Sequence, residues 1–349
     1  MKYSVAIDKV ALLTPLDGDG VDTWAALCAG SQVCDRGVVR EELLAGTPAE
    51  MDRASRLAIA VARQVLRERQ HPAAVFVGTS KGPILSQLAV LAALRQDGII
   101  TEAAARSVAL GPAMLAYDLA RALGLSGTLH TSVAACSSGL HALHRAVRAI
   151  EFGELESALV VAADASHHPL FEASFERLGV LARPDADGHR RCRPFDPRGA
   201  GFVLSEAAAA LVLTRGTGGV AVERSGIGAD ATDIVAIDAQ TVTLRHVLRQ
   251  LVGSEAVDFV HAHATGTTHD AHELAAIRAV LRSTPPVVSS KGALGHSLGA
   301  AGLVSLALSV LCHRHGRLWS GETLPAEARS ITISQGFGGH IAAVALLAR

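Results

Sequence analysis

Short apolar runs rich in small and β-branched residues alternate along this chain with segments whose apolar positions recur every three or four residues. The first pattern predicts buried strands and the second amphipathic helices, so the expected class is α/β. In the first half, residues 74–77, 129–133 and 158–162 read as buried strands, and a strand pair is expected over 202–213. The second half runs through a similar order: a strand at 257–260, a helix from about Ala271, a strand at 286–289, a further helix and a closing hairpin.

The two halves therefore resemble a diverged repeat. Each closes on a Gly-Phe turn that leads into small and aliphatic residues, GFVLSEAAAALVL from Gly201 and GFGGHIAAVALL from Gly336. The Gly- and Thr-rich segment 214–219 is the natural division, giving expected halves 1–218 and 219–349.

Composition narrows the function classes. With 349 residues, 49% of them hydrophobic and 19% charged, the chain can bury a large core. A formal charge of −1 without a long Lys/Arg run removes the footprint of nucleic-acid binding. The opening MKYSVAIDKVALL lacks a sustained apolar core followed by a small-residue cleavage site, so no secretory leader is expected. No uninterrupted apolar run reaches bilayer-spanning length, which leaves a soluble, cytoplasmic protein as the expectation. Five cysteines, with no CxxC pair, argue against a disulfide framework and a structural zinc site.

Chemistry enters at Cys136 in the stretch TSVAACSSG, residues 131–139. A strand is expected to end near Val133, and Leu140, Leu143, Val147 and Ile150 form one helical stripe just after the cysteine. The thiol thus stands at a helix N-terminus, where backbone N–H groups and the macrodipole favour a thiolate and an oxyanion. Taken alone, the stretch fits a buried structural thiol equally well.

Two further segments change that balance. HAHATGTTHD, residues 261–270, follows a strand end, where open α/β sheets place functional side chains, and His263 is the candidate there. His261, His263, His269 and His272 are close enough in sequence for a metal site, but no HExxH-type spacing supplies a ligand geometry. His261 and His263, two apart on an extended segment, are expected to share a face. The second segment, SSKGALGHSLGAAG at 289–302, leads into a helix apolar almost all round, which belongs in the interior. Lys291 and His296 then stand at the mouth of a buried element, and Lys291 requires an acceptor such as Glu273 or a backbone carbonyl.

Together the three segments resemble the Cys-His-His signature of elongating β-ketoacyl-acyl-carrier-protein synthases of the thiolase-like superfamily. Flanking marks extend the likeness over the whole chain: Thr14-Pro-Leu16 with Trp24, Phe175 with Leu178-Gly179, Arg193-Pro-Phe-Asp196, Gly201-Phe202 and Gly336-Phe-Gly-Gly339. The resemblance implies a five-layered α-β-α-β-α sandwich of two related halves, and decarboxylative Claisen condensation without cofactor or metal. It implies Cys136 as acyl acceptor, His263 and His296 as holders of the malonyl thioester carbonyl, Lys291 in support and Phe337 as a gating aromatic. The Cys136 and Phe337 amides are the implied oxyanion hole. The implied partners are an acyl-carrier protein bearing phosphopantetheine thioesters and a second ketosynthase-like chain in a homodimer or heterodimer. Arg63, Arg67, Arg69, Arg145 and Arg148 are candidate contacts for an acidic carrier.

Several positions depart from the family pattern. Ala264 replaces the glycine after the first histidine and the 267–270 loop is one residue short, two changes able to re-aim His263. Ser305 stands for a glutamate, Gln335 for a second gating phenylalanine and Ile341 for an asparagine. These departures, and a shortened 78–109 region, favour specialised polyketide or polyene synthesis over housekeeping fatty-acid synthesis. Three rival readings are a chain-length-factor-type partner subunit, a thiolase or initiating synthase, and a cysteine hydrolase. The first typically lacks the cysteine, the second uses a Cys-His-Asn or Cys-His-Cys set, and the third lacks this order of loops.

Overall fold

Ten strands form in the computed structural model, which describes residues 2–18, 20–66, 72–97, 111–199 and 201–349. They are β1 (Val5–Leu13), β2 (Ala74–Gly78), β3 (Thr128–Ser132), β4 (Ser157–Asp164), β5 (Ala207–Arg215), β6 (Val220–Ala229), β7 (Phe259–His261), β8 (Val287–Val288), β9 (Arg329–Gly336) and β10 (His340–Ala348). Their order is β3-β2-β4-β5-β1-β6-β10-β9-β7-β8. Counted from either outer edge, each set of five runs third, second, fourth, fifth, first. Pair directions repeat too: β2 is parallel to β3 and β4, as β7 is to β8 and β9, and the remaining pairs within each set are antiparallel. The seam is a short antiparallel contact of β1 with β6 over Val5, Ala6 and Ile7.

Helices cover both faces of each set. On the outer face of the first lie α1 (Arg53–Val65) and α2 (Met114–Leu123), whose Leu57, Val61, Leu115 and Leu119 meet Val75, Val77 and Val161. Between the two sets lies α3 (Ser138–Glu151), whose stripe of Leu140, Leu143, Val147 and Ile150 is fully buried, as its spacing predicts. A fourth helix, α4 (Pro169–Arg177), borders the cavity described below. On the outer face of the second set lie α5 (Val242–Leu251) and α6 (His269–Val280), packed on Ile331, Ile333 and Ala343. The last helix, α7 (Ala301–His315), runs beside α3 in the middle layer. The result is the five-layered α-β-α-β-α arrangement that the resemblance implies.

The expected interior helix is α7: Leu303, Leu306, Leu308 and Val310 are wholly buried, each such side chain worth about 1.5–3 kcal/mol. The segment Leu298–His315 is long and apolar enough to cross a bilayer by composition, yet 83% of it is buried inside the protein. Both sheet sets cover this helix, so its hydrophobicity answers to the core.

Other differences have local causes. The segment 202–205 is not one arm of a strand pair: Phe202 bridges Leu181, Leu204 bridges His296 and Ser205 bridges Gly37. Being buried on every side, it lacks the alternation that would have marked its role. β3 is an outer edge with Leu129 40% exposed, not a buried strand. β1 and β6 carry no clear period-two signal. The charged pair Asp8-Lys9 interrupts β1, and a register shift between Ile7 and Lys9 absorbs it.

The two middle helices touch where α3 begins. A Cβ added at Gly139 would sit 2.9 Å from Leu303 Cβ and 3.1 Å from its backbone nitrogen, closer than packed atoms tolerate. Gly139→Ala is therefore expected to wedge α3 from α7 and cost about 1–3 kcal/mol, read as a lowered denaturation midpoint with an unchanged m-value.

Candidate active site

Cys136 follows β3 on a turn tied by its own serines. Ser138 Oγ accepts from the Ala134 N–H at 2.8 Å and donates to Ala135 O at 2.6 Å, while Ser137 Oγ donates to Ala134 O at 2.8 Å. Ala135 takes φ of +47°, a left-handed conformation that a β-carbon disfavours, and strain of this kind concentrates at functional sites. From β9, Ser334 Oγ donates to Cys136 O at 3.0 Å. A Cβ at Gly336 would lie 2.9 Å from the Cys136 nitrogen, so only glycine lets the start of the Gly-Phe turn come this near.

His296 is presented by the loop before α7. The 202–205 segment clasps it, the His296 N–H donating to Val203 O at 2.8 Å and its carbonyl accepting from the Ser205 N–H at 3.1 Å. Its ring stands edge-on to Phe202, centroids 5.0 Å apart. Its Nε2 lies 3.2 Å from Cys136 Sγ. The His263 ring is 5.5 Å from the His296 ring, nearly perpendicular. All three side chains line one cavity of about 740 Å³, with Phe171, Phe175 and Phe337 among its walls.

Two carboxylates on α6 hold the His263 loop. Glu273, wholly buried, accepts from the His263 and Ala264 N–H groups at 2.8 Å each, and Asp270 accepts from Thr265 and Gly266 at 2.9 Å each. Ala264 does not turn His263 out of the cavity, because Ala264 packs into the core with its amide held by Glu273. Nor do His261 and His263 share a face. β7 ends at His261, whose ring nitrogens meet Ser309 and Ser290 hydroxyls at 3.2 and 3.1 Å, away from the cavity. Among the described residues no cluster of three His, Cys, Asp or Glu side chains is arranged for a metal.

Lys291 is 3% exposed, but Glu273 is not its hydrogen-bonded partner as expected. Both Glu273 oxygens are spent on backbone amides, leaving only longer-range attraction. Sequence reasoning also passed over Lys81, which lines the cavity 4.9 Å from the Phe171 centroid and donates to Ser80 and Ser166 hydroxyls. A signal existed: the Ser-Lys-Gly triplet at 80–82 recurs at 290–292. Of the candidate carrier contacts, Arg63 binds Gly46 O and Arg148 pairs with Glu151, while Arg67 and Arg69 lie outside the described residues.

Burial dominates the charges of the site. It pushes the Cys136 thiol up to about 11, against the pull of Lys81 and Lys291, so the thiolate anticipated from the helix terminus is not the resting form. Burial, aided by the Lys291 charge, holds His263 and His296 well below the usual imidazole range. The resting pair is a neutral thiol beside a neutral imidazole. All five cysteines are free.

Alkylation of Cys136 by iodoacetamide is accordingly expected to accelerate about tenfold per pH unit from about pH 7 to 10, following the thiolate fraction. A plateau near neutrality would show a preformed thiolate–imidazolium pair. Burial likewise raises the Glu273 carboxyl to about 7 from an ordinary 4.5. The folded protein then holds the extra proton between these values, so this group stabilises most below 4.5 and the benefit is lost as pH rises through about 7. Glu273→Gln should abolish that slope and cost about 1–3 kcal/mol by facing an amide NH2 against a backbone N–H, both measurable by denaturant titration across pH.

Residues 29–217 match the family described as Beta-ketoacyl synthase, N-terminal domain, and residues 219–320 match its C-terminal domain. The chain is 30% identical to the actinorhodin polyketide putative beta-ketoacyl synthase 1 of Streptomyces coelicolor, over 85% of this chain and 74% of that protein. Its fold superposes on the ishigamide ketosynthase/chain length factor with a TM-score of 0.83 and 25% identity, covering 100% of both chains. A beta-ketoacyl synthase from Burkholderia phymatum gives 0.85 at 21% identity, again over the full length of both. With its thiolase-like sandwich and a cysteine and two histidines on one cavity, this chain belongs to the β-ketoacyl synthase family of acyltransferases.

Proposed function

We propose that the chain condenses an acyl group held on Cys136 with a malonyl unit delivered by acyl-carrier protein, in fatty-acid or, as its departures favour, specialised polyketide or polyene synthesis. The observation that carries this reading is the 3.2 Å contact of His296 Nε2 with Cys136 Sγ beside His263, on one apolar-walled cavity.

In the first half-reaction the Cys136 thiol passes its proton to His296 as sulfur attacks the acyl thioester. A new C–S bond forms, the carrier's C–S bond breaks, and the departing pantetheine thiolate takes the proton. The Cys136 and Phe337 amides face the oxyanion. In the second, the malonyl C–C bond to its carboxylate breaks with release of CO2, and neutral His263 and His296 hold the enolate oxygen. The enolate carbon attacks the acyl carbonyl, and the Cys136 thiolate leaves and is reprotonated. Glu273 positions His263, Lys291 biases both imidazoles towards neutrality and Phe337 gates the cavity. The halves 1–218 and 219–349 contribute the cysteine and the histidines respectively. A second ketosynthase-like chain would dock on the open β3 edge, where Leu129 and Val133 are exposed; Val133 also lines the cavity. The cysteine in contact with His296 favours this chain as the active member of such a pair over a chain-length-factor role. The free thiols suit a reducing, cytoplasmic setting.

Incubation with acyl-charged carrier protein should add the acyl mass to the Cys136 peptide. His263→Ala should lower malonyl decarboxylation by about 10²–10³-fold while acylation survives, whereas His296→Ala should impair both steps. An unmodified Cys136 peptide, with a control synthase acylated in parallel, would refute the assignment.

A further inference from the structure

Along β9 the side chains alternate. Ser330, Thr332 and Ser334 face the middle layer, where they bond to His313, Ser309 and the Cys136 carbonyl. Ile331 and Ile333 face the outer core, and Gln335 continues that apolar row with Ile341 as its cross-strand neighbour. An amide is out of place there. Gln335 is 1% exposed, and neither its Oε1 nor its Nε2 has a hydrogen-bond partner. Across from it, at the start of α6, His269 Nε2 is likewise buried; the two side chains come near enough for the Gln335 amide to favour the charged imidazole against the effect of burial, but not into full hydrogen-bond geometry. Both side chains line the cavity that holds Cys136. Even if the two turned to bond each other, one end of the amide would stay unsatisfied. Such groups cost stability unless something occupies them.

Position limits what that something is. Gln335 is flanked by Ser334, bonded to the Cys136 carbonyl, and by Gly336, packed on the Cys136 amide. Gln335 and His269 line the same cavity as Cys136, so the subsite meets the acyl group that the sulfur carries. An amide offers one donor and one acceptor without net charge, and burial keeps His269 towards its neutral form. That chemistry matches a hydroxyl or keto oxygen better than a carboxylate or an alkyl chain.

We propose that Gln335 and His269 form a polar subsite that takes an uncharged oxygen substituent near the thioester, making the chain selective for 3-oxygenated over saturated acyl groups. The proposal rests on the acyl-transfer reading and deepens it to a substrate class. Calorimetric titration of the Cys136→Ser protein with 3-hydroxybutyryl- and butyryl-pantetheine thioesters tests it without requiring turnover. The hydroxylated ligand should bind about five- to tenfold more tightly. Adding Gln335→Leu should bring the ratio to about one and raise the melting temperature, since it removes an unsatisfied amide; Gln335→Met is the second variant should leucine not fold.

A ratio unchanged within twofold, a wild-type preference for butyryl, or no binding of either ligand would overturn the proposal. So would a falling melting temperature in both variants, which marks a structural amide. Acylation of the unsubstituted protein by butyryl-carrier protein is scored separately, so a failure of acyl transfer is distinguishable from a failure of this selectivity.

Discussion

The contact between Gly139 and Leu303 sets the geometry on which the rest depends. It lets the two helices of the middle layer meet at their N-terminal ends, and Cys136 and His296, the proposed nucleophile and its partner, stand just upstream of those ends, Cys136 before α3 and His296 before α7. Neither loop is long enough to carry its side chain far from the helix that follows. The sulfur–imidazole distance is thus a consequence of helix packing, which tolerates little play at interior density. A second close approach supports it: Gly299 lies against the Ser80 nitrogen, and Asp164 accepts from both the Ser80 and Gly299 N–H groups, at 3.0 and 3.2 Å.

The same packing decides the electrostatics. A cavity walled by phenylalanines offers buried ions little solvation, so cysteine and histidines rest uncharged. The nearby acids do not reverse this, because Glu273 and Asp270 direct their oxygens at backbone amides. Their task is to shape the His263 loop. Neutral imidazoles serve an enolate well, donating a hydrogen bond without introducing a full charge that would itself need burial.

Departures from the family pattern fall into two groups once placed in space. Ala264 and Ser305 are absorbed: the first packs with its amide held by Glu273, and the second lends its carbonyl to Ser309, which continues to Thr332 and His261. Gln335 and Ile341 are different. They face each other across β9 and β10, Ile341 packed in the outer core and Gln335 on the cavity wall, where it breaks the apolar row. The site's individuality lies on that wall, in the cavity that Cys136, His263 and His296 also line.

What the sequence by itself determined is local. Continuous short runs of Ala, Val and Leu specify β2, β4 and β5, the 3.6-residue stripe specifies α3, and the all-round apolarity of α7 assigns it to the interior, since each pattern reflects contacts a segment must make whatever its neighbours are. Three loop motifs marked Cys136, His263 and His296 because chemistry requires those residue types beside strand ends and helix starts. Only tertiary structure decided which long-range partners meet. β1 and β6 form the seam through pairing that their own patterns do not announce, the 202–205 segment clasps His296, and Glu273 serves the His263 loop in place of Lys291. Protonation belongs with these. A helix terminus favours thiolate and burial favours thiol, and which prevails depends on how completely distant parts of the chain close over the sulfur.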